Sequence, residues 1–353
     1  MRIAYSFNKT GFEAACWEQE IRAASNDEFI FFPFNHGRYL DPSTYLNAWS
    51  LNRLYQSRDP QLMRMYAEFE ELLRREDIDA VLVNNVPPYH PEWLRRLSVY
   101  KALYSTDDPD STYLRNVPYL HAYNHVFFAD PVYSQELDMA EKMRYCGMVN
   151  ADWLPIGVMD FEMDATRTQD TILEHQRDVG VVYIGSFFRQ KLPLLAQVRR
   201  ALGRAVRFHG YFQAKHNAYF IARYRVPVWW RPVSFADRVS LYQRAAIGFN
   251  VHWSEYGLGN QRLYHLPANG VMQISDCVDH LERVYSVGTE VIGYRGADEL
   301  IDTLRYYLSH DHERARIARA GYERVMRDYR FVALTRQAAR LMRAGMDRLG
   351  WRR

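Results

Sequence analysis

The sequence predicts an α/β protein built from two Rossmann-like domains facing a cleft. Three observations carry this expectation. Short apolar runs alternate with amphipathic helical patterns through the first half, the signature of βα units on a parallel sheet. A polar stretch with little strand content, 164–178, breaks the alternation after Pro155-Ile156-Gly157-Val158, and the alternation resumes at Val179. A chain of 353 residues is long for one core and comfortable for two.

The elements follow in order. Residues 2–7 read as a strand, 8–11 as a turn, and 12–24 carry apolar residues at helical intervals. A second strand spans 28–34, an amphipathic helix 61–75, and a third strand 80–85, stopped by Pro87-Pro88. Strands at 99–105 and 125–129, a helix over 131–145 and a strand at 151–154 complete the first domain. In the second, strands are expected at 179–184, 204–209, 247–251 and 271–276, with helices over 235–244 and 331–349. Ligands bind beyond the carboxyl ends of strands in such sheets, which directs attention to the turns after them, including Asn8 to Gly11 in the first domain and Asp107-Asp108.

Composition narrows the function classes. With 48% hydrophobic and 25% charged residues the chain is globular, and a net charge of +3 is too small to mark a nucleic-acid partner. Three cysteines without metal or CxxC spacing fit reduced thiols in cytoplasm better than a disulfide framework. The start of the chain lacks a signal-peptide apolar core, and no apolar run reaches the length of a membrane span, so a cytoplasmic protein is expected. The arginines between 314 and 353 read as a solvated helix face, leaving peripheral contact with a membrane open.

The segment that carries most chemistry runs from Glu255 through Gly257, Gly259, Asn260, Arg262, Tyr264 and His265 to Ala268 and Gly270. A glycine-rich turn between a strand and a helix frees backbone N–H groups where negative charge is favoured. Arg262-x-Tyr264-x-x-x-Ala268-x-Gly270, followed by Gln273-Ile274-Ser275-Asp276, resembles the donor-site segment of GT-B glycosyltransferases, in particular the "group 1" enzymes of the spore-maturation-protein (CgeB-like) type. The resemblance continues through Gly293-Tyr294-Arg295, Asp298-Glu299-Leu300 and Ile317-Ala318 to Gly321, so it covers about 235–330. Pro155-Ile156-Gly157-Val158 resembles the hinge by which GT-B chains leave their first domain. The resemblance implies a GT-B fold: an acceptor domain over 1–157, a linker over 158–178, a donor domain over 179–330, and a final helix over 331–353 returning to the first domain.

The same resemblance implies a Leloir-type, hexosyltransferase-like enzyme of carbohydrate biosynthesis, moving a sugar from a nucleotide diphosphate-sugar to a saccharide, lipid-linked or protein acceptor. No cofactor or metal is implied, because arginine, lysine and helix N-terminal amides can hold the departing diphosphate. Gly185-Ser186 with Arg189 and Lys191 resembles the turn that opens the donor domain, and guanidinium forks suit phosphate oxygens. Donor contacts are expected from Gly185, Ser186, Arg189, Lys191, Tyr211, Gly257, Asn260, Arg262 and His265. Tyr211 is one of several rings, with Phe212, Trp229 and Trp230, that could stack on a base. Glu255 would hold donor-sugar hydroxyls as a catalytic candidate. His265 stands where relatives carry a ribose-binding glutamate, and ten residues rather than eight separate it from Glu255. These departures leave retention or inversion open. An inverting enzyme needs a general base, for which Asp107, Asp108, His36 and His121 are candidates, while Asn8 and Gly11 read as a cleft loop of the first domain. Each has a plainer alternative: Asp108 as a helix cap before Pro109, His121 and His265 as packed histidines, the basic turn as exposed helix start. An epimerase or phosphorylase of the same fold, or a catalytically silent nucleotide- or carbohydrate-binding scaffold, also fits the sequence.

Overall fold

A computed structural model describes residues 1–351 except 46, 86–87, 108, 110–111, 164–168, 175, 211–221, 226–232, 253–256 and 277. The chain divides into two compact units, one of Met1–Ile156 with Phe331–Arg353 and one of Gly157–Arg330.

Unit 1 is built on a parallel sheet of six strands in the order β2-β1-β3-β4-β5-β8. These are β1 (Arg2–Phe7), β2 (Ile30–Asn35), β3 (Ala80–Asn84), β4 (Tyr100–Ser105), β5 (His125–Phe128) and β8 (Ala151–Trp153). Strand β3 is buried at every position, as a central parallel strand covered on both faces must be. Strand β2 lies at the sheet edge, where Pro33 removes no ladder bond. Helix α1 (Gly11–Ala23) follows β1, and α2 (Ala48–Gln56) and α3 (Pro60–Arg75) follow β2. Asp59 caps α3 by accepting from the Gln61 and Leu62 amides, with Pro60 at the first helical position. Its buried stripe of Leu62, Met65, Tyr66, Phe69 and Leu73 has the period of one helix face.

Short helices α4 (Pro91–Leu94) and α5 (Val117–Leu120) lead into β4 and β5. The helix expected over 131–145 is a hairpin of β6 (Val132–Ser134) and β7 (Leu137–Asp138) followed by α6 (Met139–Tyr145). The cause is local: Asp130 Oδ1 accepts the Val132 amide at 3.0 Å, which starts the chain in a turn rather than a helix.

In unit 2 the parallel sheet has the order β10-β9-β11-β12-β13. Its strands are β9 (Val179–Ile184), β10 (Val206–His209), β11 (Ala245–Phe249), β12 (Met272–Ser275) and β13 (Ile292–Gly293). The helices are α7 (Gln169–Leu173), α8 (Leu192–Leu202), α9 (Phe235–Arg244), α10 (Arg262–Ala268), α11 (Val278–Leu281), α12 (Ala297–Ser309) and α13 (Asp311–Asp328). The described residues of 158–178, read from the sequence as a linker, belong to this unit. Val158 pairs with Arg330, and Met159, Glu162, Met163 and Ile172 are buried. Arg177 acts as a hub, donating to the carbonyls of Tyr242, Gln243, Ile172 and Gly270 at 2.8–3.0 Å. Gly270 has φ +67°, and a Cβ there would press on the Arg177 guanidinium and Ile172, so both conformation and space require glycine. Within the polar stretch Arg177 works inside the fold, while Asp170, Thr171, Glu174, Gln176 and Asp178 are exposed.

The final helix, α14 (Phe331–Arg348), belongs to unit 1. Phe331 packs edge-on against Trp17 at 5.3 Å, and Arg336 donates to the Ala24 carbonyl at 2.9 Å. Among the described residues, no helix is long and apolar enough to cross a membrane.

Candidate functional site

The strand order of unit 2 reverses direction at β9, with β10 on one side and β11 on the other. Open α/β sheets bind ligands at such a switch point, beyond the carboxyl ends of the strands. A cavity of about 360 Å³ lies there, with Gly185, Ser186, Arg238, Asn260, Arg262 and His265 among its lining residues. Five of these are donor contacts expected from the sequence; Arg238, on α9, is not.

Arg262 holds the two strand ends together. Its Nη1 donates to the Ile184 carbonyl at 2.7 Å, its Nε to Asn250 Oδ1 at 3.0 Å and its Nη2 to the Val251 carbonyl at 3.1 Å. The guanidinium lies 4.8 Å from the centre of the Tyr183 ring. A Cβ at Gly185 would collide with Nη1, which explains the glycine after β9. Arg262 is therefore first a clamp: among the described residues, three of its N–H groups serve protein acceptors.

Lys191 is buried and donates from Nζ to the same Val251 carbonyl at 2.7 Å. Burial, reinforced by Arg262, brings its ammonium down to about 7, so it loses its proton far more readily than an exposed lysine. Arg189, expected with Lys191 as a donor contact, is exposed at the start of the 3-10 turn Arg189–Lys191 and does not line the cavity.

His265 was expected to contact the donor or, on the plainer reading, to be a packed histidine. It is the fourth residue of the seven-residue α10, wholly buried, and its Nε2 stands 3.2 Å from Glu162 Oε2. A carboxylate, not a helix terminus, faces the ring. Glu162 also accepts the Met159 amide at 2.9 Å, and Arg238 Nη2 lies 3.8 Å from its other oxygen. Burial pushes the Glu162 carboxyl up, but His265, the Met159 amide and Arg238 outweigh it and hold it below its usual range. Asn269 Nδ2 donates to the backbone carbonyls of both Glu162 (3.1 Å) and His265 (2.9 Å), fixing their separation. A carboxylate from another segment thus stands beside His265. Nothing in the sequence around Glu162 marked it, because the contact is formed across 103 positions of chain only when the unit folds.

Several buried polar atoms around this cavity lack hydrogen-bond partners among the described residues: Arg238 Nε and Nη2, Asn260 Nδ2 and both ring nitrogens of His265. Unpartnered buried polar atoms are rare, and a cluster of them on one cavity marks a place prepared for a polar ligand. The expected helix N-terminal amides contribute less: the Leu263 and Tyr264 amides already bond to Asn260 and Gln261 carbonyls at 3.3 and 3.1 Å. Gly257 is buried in the loop before Asn260 and does not line the cavity.

The other candidates lie elsewhere. Asn8 donates to the Tyr45 hydroxyl at 3.0 Å, while Gly11 lines a cavity of about 390 Å³ at the ends of β1 and β2 with Lys9, Thr10, Asn35 and Arg38. Asp107 is half-buried after β4. His121 is exposed on the turn that enters β5, at the amino end of that strand rather than at the ligand-binding edge. His36 is sealed in the core against Ser6 Oγ at 2.8 Å, and burial pulls its ring down to about 3, so it stays neutral. Asp108, Tyr211 and Glu255 fall outside the described residues, as do Phe212, Trp229 and Trp230. Among the described residues, no group of three or more His, Cys, Asp or Glu could hold a metal ion.

Comparison with known proteins agrees with this architecture. Residues 189–340 match the family described as "Glycosyl transferase-like", a span that contains most of unit 2 and the start of α14. No curated protein matches the chain. Similar solved structures include sucrose-phosphate synthase from Thermosynechococcus elongatus, at 14% identity and TM-score 0.62, covering 97% of this chain and 98% of that one. HepE from Anabaena, solved with UDP and glucose, is 11% identical over 98% of this chain and 100% of its own, with TM-score 0.58. A putative UDP-N-acetylglucosamine 2-epimerase from Listeria monocytogenes is 12% identical with TM-score 0.58, covering 98% of this chain and 97% of its own. The chain has the GT-B fold. Within a GT-B chain the described cavity falls in the C-terminal Rossmann-like domain, and the segment that carried the sequence resemblance lies inside the matched span.

Proposed function

We propose that this protein is a glycosyltransferase of the group 1, spore-maturation type that takes a sugar from a nucleotide diphosphate donor bound in the cavity of unit 2. The observation that carries this reading is the set of unpartnered buried groups on Arg238, Asn260 and His265, beside the Arg262 clamp, at the β9/β11 switch point. Arginine and amide N–H groups accept no hydrogen bonds, so the ligand they await must bring oxygen acceptors, as a ribose and a diphosphate do. Arg262, Arg238 and, when protonated, Lys191 supply positive charge for a departing diphosphate without a metal. His265 takes the ribose-contacting place, and Arg189 and Ser186 are further donor contacts. HepE, solved with UDP and glucose, supports a uridine diphosphate-sugar as the first donor to try. The acceptor is a saccharide, lipid-linked or protein hydroxyl met by the first domain.

The experiment is titration calorimetry of the full chain with uridine, guanosine, thymidine and adenosine diphosphates, followed by a hydrolysis screen of the matching nucleotide-sugars. Selective micromolar binding with slow release of free sugar is expected. Absence of binding to all four would overturn the reading and favour a scaffold. The likeness to the Listeria epimerase supports a second reading, nucleotide-sugar epimerisation. Conversion of a nucleotide-sugar to its epimer without an acceptor would establish it.

A further inference from the structure

In unit 1 the last turns of α14 lie against the amino ends of β4, β5 and β8, where a chain of hydrogen bonds runs in one direction. Arg348 Nε, on α14, donates to Asn150 Oδ1 at 2.9 Å and so fixes which way that amide faces. Asn150 Nδ2 then donates to the Tyr100 hydroxyl at 3.1 Å and, more weakly, to the Gly345 carbonyl of the helix at 3.4 Å. The hydroxyl meets His125 Nδ1 at 3.2 Å, and His125 Nε2 meets Asp152 Oδ2 at 2.9 Å. An ionised carboxylate only accepts, so Nε2 carries the ring proton, and Nδ1 of the neutral ring accepts the Tyr100 hydrogen. The His125 side chain is wholly buried. A Cβ on Gly345 would collide with the hydroxyl and stand 2.9 Å from Nδ1, so the helix backbone closes directly over this contact.

A second proton on the ring can only go to Nδ1. It would set N–H against the Tyr100 O–H, two donors on one contact, and the hydroxyl would have to turn its hydrogen away beneath the helix. The titratable and charged groups around the ring are Tyr100 from β4, Asp152 from β8 and Arg348 from α14, 3.6 Å from the same Asp152 oxygen, with Arg144 of α6 acting on Asp152. Burial holds the ring below its ordinary value, aided by Arg348 and against the pull of Asp152. We propose that the Tyr100–His125 contact is an acid-released latch: with the ring neutral it fastens the last turns of α14 to the sheet, and protonation of Nδ1 frees them. The closed latch refuses a proton that the opened segment accepts, so opening is favoured as pH falls below the ordinary histidine value of about 6.5. The latch lies wholly within unit 1 and does not depend on what unit 2 binds.

Two measurements on the full chain test it. Hydrogen exchange at pH 7.5 and 5.5, corrected for the intrinsic rate, reads local opening. Amides of residues 341–348 should lose at least fivefold protection in acid, and those of β3 clearly less. His125→Gln keeps an oxygen that can accept from Tyr100 and a nitrogen that can donate to Asp152, but it takes up no proton, so the extra loss in 341–348 should vanish. No extra loss in wild type, or the same extra loss in His125→Gln, would overturn the latch. Side-chain nitrogen NMR of histidine-labelled protein, with His125 assigned through bonds to its backbone, keeps the test open if that variant does not fold. The wild-type ring at pH 7.5 should carry its proton on Nε2. Tyr100→Phe, which removes the hydrogen given to Nδ1, should move the pH at which the ring charges upward. A ring protonated on Nδ1 at pH 7.5, or one whose titration ignores Tyr100→Phe, would overturn the proposal.

Discussion

Arg262 Nη1 donates to the Ile184 carbonyl at 2.7 Å and so joins the helix that opens the candidate site to the end of the strand that closes it. Because the same guanidinium also reaches Asn250 and Val251, one side chain sets the distance between the ends of β9 and β11. Arg262→Ala should lose about 3 kcal/mol of stability, since three acceptors lose a charged donor at once. Arg262→Lys should recover little of it, because a single ammonium cannot span three divergent acceptors. Urea denaturation of the three proteins measures this, and a loss below about 0.5 kcal/mol in Arg262→Ala would contradict the clamp.

Arg238 and Arg189 separate two views of where the diphosphate sits. Arg238 lines the cavity with unpartnered N–H groups, and Arg189 is exposed outside it. Arg238→Ala is expected to weaken nucleoside diphosphate binding by roughly 10- to 100-fold, the scale of one lost charge-assisted contact. Arg189→Ala should do less. Calorimetry on both variants checks the order, and a larger loss in Arg189→Ala would return the diphosphate to the position inferred from sequence.

Gly345 lies where α14 meets the sheet of unit 1. A Cβ there would collide with the Tyr100 hydroxyl and approach His125 Nδ1 and Asn150 Nδ2, a polar cluster already closed by bonds among its own members. Gly345→Ala should therefore cost about 1–3 kcal/mol by overpacking, although alanine is the better helix former. Thermal melting reads the effect, and hydrogen exchange should place the loss of protection in α14. A stabilised variant would mean that the cluster yields.

His36 makes acid stability testable. Folding lowers its ring from an ordinary 6.5 to about 3 by burial. Between those values the unfolded chain takes up a proton that the folded chain refuses, so stability falls as pH drops from about 6.5 toward 3. The slope from this one group is at most roughly 1.4 kcal/mol per pH unit. His36→Gln should flatten the acid limb of stability against pH, measured by denaturant midpoints at pH 6.5, 5.5 and 4.5. An unchanged limb would show that other groups dominate it.

Sequence alone determined the α/β class, the strands of both parallel sheets except β13 to within a few residues, and the turn at Gly185 with the segment around Arg262. Those features are local: apolar period, turn residues and glycine positions act within a dozen residues, so they are written in the chain itself. Tertiary structure decided what each polar group does. It gave Arg262 the role of a strand clamp, buried Lys191 and left Arg189 in solvent. It placed the described part of the supposed linker in unit 2, where Arg177 gathers carbonyls and Glu162 stands beside His265. The physical reason is that a charge or a hydrogen-bonding group acquires its role from the partners burial brings within about 3 Å, and those partners lie up to a hundred positions away along the chain.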